Sequence, residues 1–291
     1  MFEQLGLVGC GLMGGSFALA LKRAGLVKRV VGFSPSESTR SRALSMGVVD
    51  AVATTAADAA RGSDLVLVAV PVAATESTLA AFAAALSDHA LVMDVGSTKC
   101  DVVAAAERAL GEAIGCFVPA HPIAGKEVAG VAHADPELYT GCQVILTPSA
   151  ATGPTQLAQA DAVWRALACR VRQMSAPEHD AALAAVSHLP HVLAFAMMNA
   201  IGAQPQAADL LSLAGPGFRD FTRIAASDPA VWRDILFANS TQLMAQIQWF
   251  RSSLDAFDYA IHRGDAPAIE ALIAQASDAR AAWRLGADAH Q

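Results

Sequence analysis

The sequence has little positive charge. Lysine and arginine number 20 against 27 aspartates and glutamates, so the formal net charge is -7. Such a chain lacks the basic footprint with which proteins hold nucleic acid or an anionic membrane surface. It also lacks a run approaching the ~20 uninterrupted apolar residues that a membrane-spanning helix requires. We therefore expect neither a nucleic-acid partner nor a membrane partner, and a small molecule as the ligand.

Cysteines are few, odd in number and never spaced as C-x-x-C: they are Cys10, Cys100, Cys116, Cys142 and Cys169. This pattern supports neither a zinc site nor a disulfide framework, so we expect no metal and five buried free thiols. The first residues lack the basic leader and apolar stretch of a secretory signal. We therefore expect a cytoplasmic protein.

Strand-like and helix-like segments alternate through the first half of the chain. Short β-branched or leucine-rich runs predict strands at 5–8, 30–33, 65–70, 91–95, 117–120, 144–147 and 171–174. Alanine-rich stretches predict intervening helices at 13–24, 75–86, 99–110 and 156–167. This alternation is typical of a parallel sheet with crossover helices. Beyond about Ser175 the strand signals end, and helices are predicted at 177–203, 229–263 and 266–285.

A glycine-rich loop follows the first predicted strand. Gly9, Gly11 and Gly14 form G-x-G-x-x-G between a strand and a helix, which is the context in which this motif binds a dinucleotide. Gly9 allows the tight turn, Gly11 lets a pyrophosphate approach the backbone, and Gly14 lets the helix lie close to the strand. The fold class is therefore α/β: a Rossmann-type dinucleotide-binding domain over residues 1–174, followed by an all-α domain over 175–291. Further predicted cofactor contacts are Leu12, Met13, Val70 and Pro71.

The second predicted strand leads into Ser34, at the place where an acid normally contacts the adenosine ribose. No carboxylate stands there to repel a 2'-phosphate. Ser34, Ser36, Thr39 and Arg40 are candidate hydrogen-bond donors to that phosphate, and Arg40 adds a charge. Alternatively, Ser36 only caps the next helix. The expected cofactor is NADP or NAD, with acceptance of NADP favoured.

His121 stands in His-Pro-Ile-Ala-Gly, just past the hydrophobic run 116–118. In a parallel α/β sheet, ligands collect beyond the carboxyl ends of the strands, so a histidine after a strand segment points into that crevice. Histidine is also the side chain most readily poised to accept a proton near neutral pH. These features predict hydride chemistry beside a nicotinamide. The alternative is a loop histidine whose neighbouring proline only fixes a turn.

A second histidine motif, Ser-His-Leu-Pro-His, occupies residues 187–191. It places His188 and His191 on neighbouring positions of one helix face, while Pro190 frees a backbone carbonyl and bends the helix. Alternatively, these histidines only satisfy the packing of the helix.

An arginine motif occupies residues 215–223 and opens a helix after a glycine turn. It carries Arg219 and Arg223 at four-residue spacing, and a guanidinium here is suited to bidentate binding of a substrate carboxylate. The alternative is a surface ion pair between one of these arginines and Asp220.

Together with the segment Asp-Val-Gly-Ser-Thr-Lys at 94–99, these motifs resemble the prephenate/arogenate dehydrogenase family of tyrosine biosynthesis. The glycine loop is common to many enzymes, whereas the motifs at 121–125, 187–191 and 217–223 are specific in this order. The resemblance covers nearly the whole chain. It implies oxidative decarboxylation of a cyclohexadienyl acid: hydride leaves the ring carbon that carries the hydroxyl, carbon dioxide departs and the ring becomes aromatic. The product would be 4-hydroxyphenylpyruvate from prephenate, or tyrosine from arogenate.

The resemblance also implies roles for individual residues. His121 matches the catalytic histidine that accepts a hydrogen bond or proton from the ring hydroxyl, and Ser97 matches a serine that orients it and touches the nicotinamide. His191 matches a second substrate-site histidine with Ser187 near it, and Arg223 matches the arginine that holds the ring carboxylate. From the residues alone, Ser97 has an alternative role as the N-cap of the next helix. Weaker candidates beside these are His188, Arg219, Asp220 and Ser227.

Lys126 departs from the family pattern, in which many members carry threonine. A cation beside the substrate pocket would favour the second carboxylate of prephenate, or it would pair with Glu127. The choice between prephenate and arogenate therefore stays open.

Two other classes of protein fit part of this pattern. A β-hydroxyacid dehydrogenase or an imine reductase also carries the Gly11–Gly14 loop, but it would not need His121, His191 and Arg223 together. A non-catalytic NAD(P) sensor would bind the cofactor without turnover.

The helical half contains apolar segments at 193–198 and 235–237. They are more apolar than a domain of this size needs for its own core. We therefore expect a homodimer that forms through the helical domain.

Overall fold

The computed structural model describes residues 1–126 and 128–283, and the structural statements below concern those residues. Its β-strands are Phe2–Val8 (β1), Val27–Phe33 (β2), Ala51–Val52 (β3), Leu65–Val68 (β4), Leu91–Asp94 (β5), Phe117–Val118 (β6), Ala120–Pro122 (β7), Gln143–Leu146 (β8) and Arg170–Gln173 (β9). Its α-helices are Leu12–Arg23 (α1), Glu37–Ser45 (α2), Ala56–Ala60 (α3), Thr75–Phe82 (α4), Cys100–Leu110 (α5), Pro154–Ala166 (α6), Ala176–Leu183 (α7), Leu189–Gly202 (α8), Ala207–Ser212 (α9), Pro216–Thr222 (α10), Pro229–Ala238 (α11), Ser240–Arg263 (α12) and Ala266–Ala282 (α13). By internal contacts, Met1–Ser240 form one compact unit and a second unit begins at Thr241.

Parallel strands form the larger sheet, in the order β3-β2-β1-β4-β5-β6. Strands β4 and β5 are buried along their whole length, as expected where helices cover both faces of a parallel sheet. The chain runs outward from β1 to β3, returns to β4 beside β1, and then runs outward in the other direction. Because the order reverses between β1 and β4, a ligand crevice opens beyond their carboxyl ends. The predicted Rossmann-type α/β fold is confirmed.

Two apolar clusters fill the space between this sheet and its helices. One contains Phe17 of α1 and Trp164 of α6, whose ring centroids lie 5.0 Å apart. The other contains Phe82 of α4 and Phe117 of β6. Both clusters reach the end of β1, where the glycine loop begins, because Leu7 belongs to the first cluster and Val8 to the second.

A second, smaller sheet has the order β7-β8-β9, and its β7–β8 pair is antiparallel. The expectation that all the strands are parallel was therefore wrong here. The segment between β7 and β8 contains only a 3-10 turn at Val131–His133 in its described part. Without a crossover helix, the strand returns in the opposite direction. His121 consequently lies within β7, paired with Ile145, rather than in a loop after a parallel strand.

Several element boundaries differ from the predicted ones. Strand β3 and helices α3 and α9 were not predicted, because they are short, and α2 entered only through the alternative role of Ser36 as a helix cap. The single helix predicted at 177–203 is divided by a π-helical turn at Ala184–His188, and the helix predicted at 229–263 breaks at Asn239. Of the helix predicted at 266–285, residues 284 and 285 lie outside the described residues.

The strand signals do end where predicted: β9 stops at Gln173, and only helices follow it among the described residues. A domain boundary after residue 174 stays a prediction.

Among the cysteines, Cys10, Cys116 and Cys169 are buried, whereas Cys142 is half-buried and Cys100 is exposed at the start of α5. The expectation of five buried thiols was therefore wrong for these last two.

The helical run Ala176–Gly202 is, by length and composition alone, apolar enough to cross a membrane, with a mean hydropathy of 1.6. It is not an uninterrupted apolar run of the kind considered in the sequence analysis, because polar residues such as His179, Asp180 and Ser187 interrupt it. The run carries His179, Asp180 and His188, which are all buried and hydrogen-bonded to other parts of the chain. Such buried polar contacts with other parts of the chain differ from those of a uniformly apolar span.

Candidate active site

Two adjoining cavities lie beyond the carboxyl ends of β1, β4 and β5. The first, here called the glycine-loop cleft, has a volume of about 440 Å³, and its lining includes Gly11, Leu12, Met13, Val70, Pro71 and Gly96. The second, here called the histidine pocket, has a volume of about 670 Å³, and its lining includes His121, Ser187, His188, His191 and Arg223. Among the described residues, those that line both cavities are Ser97, Gly125, Lys126, Ser227 and Trp232. Residues from both halves of the sequence therefore surround one continuous space.

The glycine loop has the geometry that a pyrophosphate requires. Gly9 has a φ of 105°, and a Cβ there would lie 2.2 Å from the carbonyl oxygen of Ala69. A Cβ on Gly14 would lie 2.2 Å from the carbonyl oxygen of Gly9, whereas nothing lies within 4 Å of the corresponding position on Gly11. Gly11 is also the N-cap of α1 and makes no side-chain cap bond. The open face over Gly11 and the amides of α1 thus fit a dinucleotide phosphate.

The residues predicted to contact the ribose lie outside the lining of the glycine-loop cleft, just after β2. Ser36 caps α2 by accepting a hydrogen bond from the Thr39 backbone amide at 3.3 Å, so the predicted helix cap is present, while its contact with the cofactor stays a prediction. Arg40 donates from its guanidinium to the backbone carbonyls of Ser34 and Pro35. Its positive charge is therefore anchored beside the end of β2.

His121 lies almost buried at the wall of the histidine pocket, with 9% of its surface exposed. Its Nδ1 is 2.8 Å from Nε2 of His179, and Nδ1 of His179 is 2.8 Å from Oδ1 of Asp180. Burial lowers the pKa of His121 well below 6.5, and electrostatic interactions with His179, Lys99 and His188 disfavour a second positive charge here and lower it further. The His121 imidazole is consequently neutral at neutral pH and able to accept a proton.

Asp180 reaches from α7 to the first amides of α5. It accepts hydrogen bonds from the backbone N–H of Lys99 at 2.8 Å and of Cys100 at 2.9 Å. The helix is thus capped by a residue 80 positions away, and the alternative role of Ser97 as its N-cap was wrong. Ser97 lies instead where the two cavities meet, as its predicted contact with both histidine and nicotinamide requires.

A buried ion pair holds the backbone just before His121. Nζ of Lys99 lies 2.5 Å from Oδ2 of Asp94 and 2.9 Å from the carbonyl oxygen of Ala120. Asp94 accepts in addition from the amides of Ala120 at 2.9 Å and Gly96 at 2.7 Å. Both polar main-chain groups of Ala120 are therefore bound by this pair, which joins the ends of β5 and β7.

The two histidines of the second motif differ in their surroundings. His188 ends the π-helical turn and is buried; its Nδ1 accepts from Nδ2 of Asn239 at 3.1 Å. Its Nε2 has no hydrogen-bond partner among the described residues. Burial lowers the pKa of His188 to about 4; Asp180 opposes this shift and His179 adds to it. The neutral ring therefore presents Nε2–H as a donor, on a turn of the kind that often marks functional sites.

His191 is fixed from two sides. Its Nδ1 donates to the carbonyl oxygen of Ser187 at 2.8 Å, and its ring stacks on Trp232 with centroids 3.5 Å apart. Burial lowers the pKa of His191, partly opposed by the hydrogen bond to Ser187. Because Nδ1 carries the proton of the neutral ring, Nε2 of His191 is a hydrogen-bond acceptor.

The arginine motif separates its two guanidinium groups. Arg219 pairs with Asp220 at 3.2 Å on the exposed surface, so the surface-pair alternative is confirmed for this residue. Arg223 begins the 3-10 turn Arg223–Ala226 and lines the histidine pocket. Ser227 follows this turn and donates to the carbonyl oxygen of Ile224 at 2.7 Å. Arg223, rather than Arg219, is thus the cation placed at the pocket.

Lys126 lines both cavities and forms an ion pair with Asp135, whose carboxylate lies 2.8 Å away. This pair lowers the pKa of Asp135. The alternative pairing with Glu127 falls outside the described residues. Lys126 therefore places positive charge at the junction of the cavities, about 40% exposed.

The sequence analysis missed His179, Asp180, Asn239 and Trp232. The adjacent His179 and Asp180 were a possible signal, since an acid next to a histidine often orients it. No spacing, however, relates His179 to His121, which is 58 positions away. Trp232 offered no signal beyond being one of four tryptophans.

Comparison with known proteins identifies the family. Family models described as the nucleotide-binding and dimerization domains of prephenate dehydrogenase match residues 17–173 and 175–275. The chain is 33% identical to a cyclohexadienyl dehydrogenase of Zymomonas mobilis, over 99% of this chain and 98% of that protein. It is 35% identical to a prephenate dehydrogenase of Bacillus subtilis, over 86% and 68% of the two chains.

Among solved structures, prephenate dehydrogenase of Aquifex aeolicus in complex with hydroxyphenyl propionate and NAD+ superimposes with a TM-score of 0.88. The two chains are 35% identical, and the match covers 96% of this chain and 97% of the other. The alternatives of a β-hydroxyacid dehydrogenase, an imine reductase or a non-catalytic sensor are thereby rejected. The chain is an oxidoreductase that belongs to the prephenate dehydrogenase family.

Proposed function

We propose that this protein oxidatively decarboxylates prephenate, arogenate or both in tyrosine biosynthesis, with hydride transfer to NAD(P)+. One observation carries the proposal: His121 and Arg223, from opposite halves of the chain, line one pocket that adjoins the glycine-loop cleft. The reaction requires a base for the ring hydroxyl and a cation for the ring carboxylate. These two residues supply both.

The proposed chemistry needs little beyond positioning. His121 accepts the proton of the ring hydroxyl, while the C–H bond at the same carbon breaks as hydride and the carbonyl begins to form. The electrons of the bond to the departing carbon dioxide then complete the aromatic ring, and this gain makes the overall step favourable. The bound NAD(P)+ supplies the hydride acceptor. Arg223 holds the ring carboxylate, and Ser97, at the junction of the cavities, orients His121 towards the hydroxyl.

The remaining pocket residues are proposed to bind the substrate side chain. Nε2–H of His188 is a buried donor without a partner among the described residues, and Nε2 of His191 is an acceptor. Ser187 and Ser227 add hydroxyl groups at the pocket wall. A donor and an acceptor side by side suit the keto-acid or amino-acid side chain that distinguishes the two substrates.

Lys126 is proposed to favour prephenate over arogenate. Arogenate carries an ammonium group on its side chain, which a neighbouring lysine would repel, whereas prephenate carries a neutral ketone there. The comparison of Lys126→Thr with the parent protein tests this proposal. We expect the ratio of kcat/KM for prephenate to that for arogenate to fall at least threefold; an unchanged ratio would reject the role.

The cofactor preference is proposed to lie with NADP. The support is the serine at the end of β2 together with Arg40, whose guanidinium is anchored to the carbonyls of Ser34 and Pro35. Position 34 holds a serine instead of an acid, so no carboxylate there would repel a 2'-phosphate, and the positive charge of Arg40 would attract it. Michaelis constants for NAD and NADP decide the matter: a preference for NAD of tenfold or more, about 1.4 kcal/mol, would reject the proposal.

We further propose a cytoplasmic homodimer formed through residues 175–291. Both predicted contact segments are only partly available, because Ala194 and Ile235 are buried within the chain, but Met197 and Phe237 are exposed. In the second unit, Trp249 and Tyr259 of α12 are also largely exposed. Light scattering at micromolar concentration should give twice the chain mass, and a strictly monomeric mass would reject the dimer.

One kinetic grid tests the main proposal. Purified protein is incubated with NAD or NADP and with prephenate or arogenate, while reduced-nicotinamide absorbance and carbon dioxide are followed. We expect both signals in equal amounts with at least one pair of substrates. Cofactor binding without either signal would reject the proposed reaction.

A further inference from the structure

Two buried side chains behind His121 are not used by the mechanism above. His179 and Asp180 line neither cavity, yet they continue the hydrogen-bonded line that starts at His121 Nδ1. His179 is fully buried, and Asp180 is 2% exposed. A histidine and a carboxylate kept away from water in this way need a reason, because burying ionisable groups is costly.

The direction of each hydrogen bond follows from Asp180. Burial raises the pKa of Asp180, but hydrogen bonds from His179 and from the amides of Cys100 and Lys99 outweigh it, so the net shift is downward. Asp180 is therefore a carboxylate and can only accept hydrogen bonds. Consequently, Nδ1 of His179 carries a hydrogen and donates a hydrogen bond to Oδ1 of Asp180.

The same reasoning continues to His121. A neutral His179 has only one N–H, so its Nε2 is an acceptor and Nδ1 of His121 must donate to it across the 2.8 Å contact. The neutral His121 ring then has no proton on Nε2. This nitrogen is the one left to face a ligand in the histidine pocket.

We propose that His179 is a positioning residue of this dehydrogenase: it holds His121 in the Nδ1–H form and takes that proton when Nε2 of His121 receives the proton of the ring hydroxyl. The proposal rests on the function proposed above. In the step, the O–H bond of the substrate breaks and a bond forms from hydrogen to His121 Nε2. The bond from His121 Nδ1 to its proton breaks and a bond forms to His179 Nε2. The two histidines together gain one proton and one positive charge, and this charge comes to lie on His179, next to the Asp180 carboxylate.

Surrounding charges favour this movement. A cation left on His121 would be close to the buried ammonium of Lys99, which contributes to the low pKa of His121. On His179 the same charge lies 2.8 Å from a carboxylate that two backbone amides also stabilise. In the described part of the chain, the titratable or charged groups around His121 are Asp94, Lys99, Lys126, Cys142, His179, Asp180, His188, His191 and Arg223. After product release, the proton returns to water through the pocket by the reverse path.

Two substitutions of His179 distinguish its two proposed roles, which are to hold the His121 ring by a hydrogen bond and to take up the proton from His121 Nδ1. In His179→Gln, the amide oxygen can still accept from His121 Nδ1 but cannot take up a proton; in His179→Leu, both capacities are lost. We expect kcat to fall about tenfold for the glutamine variant and 100-fold or more for the leucine variant, within the range for positioned acid–base groups. The acid limb of the kcat/KM profile should move to lower pH in the glutamine variant, since the amide that replaces the ring 2.8 Å from His121 Nδ1 cannot share a proton with it.

His89→Gln is the matched control, because His89 is exposed and remote from both cavities, and it should leave kcat and the pH profile unchanged. Melting temperature and cofactor Kd are measured for every variant. Parent-like kcat and pH profiles in both folded His179 variants would overturn the proposal. A fall in kcat without a shift of the acid limb in the glutamine variant would overturn the proton uptake and leave only a structural role.

A measurement on the unaltered protein covers the case in which the variants do not fold. Nitrogen-15 NMR of its histidines distinguishes protonated from bare ring nitrogens, and we expect His121 to be bare at Nε2. A proton on that nitrogen at neutral pH would overturn the proposal. His121→Asn separates this inference from the function itself: an active asparagine variant would reject His121 as the base, whereas an inactive one combined with parent-like His179 variants would reject only the role of His179.

Discussion

The buried pair of Lys99 and Asp94 allows a quantitative prediction about stability. The Lys99 side chain is 0% exposed and that of Asp94 is 3% exposed. Asp94→Asn would leave the ammonium without a carboxylate and with neutral acceptors at most, and its amide NH2 would face a donor that the carboxylate now binds. Removing one partner of a buried pair costs about 3–5 kcal/mol. At roughly 2–4 °C per kcal/mol for a chain of this size, Tm should fall by roughly 6–20 °C.

Lys99→Met should cost less than Asp94→Asn. The carboxylate of Asp94 would keep two backbone donors, the amides of Gly96 and Ala120, whereas the ammonium of Lys99 in the other variant would keep no anionic partner among those the structure shows for it. The stronger effect of the asparagine variant follows from this difference in remaining partners.

Thermal unfolding followed by circular dichroism measures both variants. Glu3→Gln is the control, because it breaks the exposed pair of Glu3 with Lys28, for which little change in Tm is expected. A fall of less than 2 °C in Asp94→Asn, comparable with the control, would refute the reasoning. Since the pair binds Ala120, the residue before His121, kcat of any folded variant should fall as well.

Three further predictions concern the site. Arg223→Ala should mainly raise the KM for the substrate, by about 30-fold or more, corresponding to about 2 kcal/mol, and steady-state kinetics would contradict this if KM stayed within threefold. Ser34→Asp should weaken NADP by at least tenfold relative to NAD, because a carboxylate would repel the 2'-phosphate; an unchanged ratio of their kcat/KM values argues against NADP contact at this position. The acid limb of the kcat/KM profile should lie below pH 6.5. The pKa of His121 is lowered, so its neutral, proton-accepting form is lost only when the pH falls below that lowered pKa. An acid limb above pH 6.5 would exclude His121 as the base.

Local patterns in the sequence predicted the parts of the fold that depend on neighbouring residues. The apolar strand β4, the glycine turn and α1 each depend on short-range periodicity or on a backbone conformation that glycine allows. The second sheet was not predictable in the same way. Whether β8 returns parallel or antiparallel to β7 depends on the intervening segment, which has no periodic pattern.

In the candidate site too, residues within local motifs were predicted, whereas partners distant in the sequence were not. Residues that carry their own motif, such as His121, His191 and Arg223, were recognised and lie around one pocket. The contacts that tune them were not recognised. Asp180 reaches the amides of α5 from 80 positions away, and Asn239 bonds to His188 across 51 positions. Such partners are set by tertiary packing and leave no spacing signal in the chain.

The central claim is that His121 is the base of the chemical step. Single-turnover measurement of hydride transfer in His121→Asn, with saturating cofactor and substrate, tests it most directly. The account predicts a rate at least 100-fold below that of the parent protein, with the Kd of the cofactor changed less than twofold. A rate within threefold of the parent would contradict it.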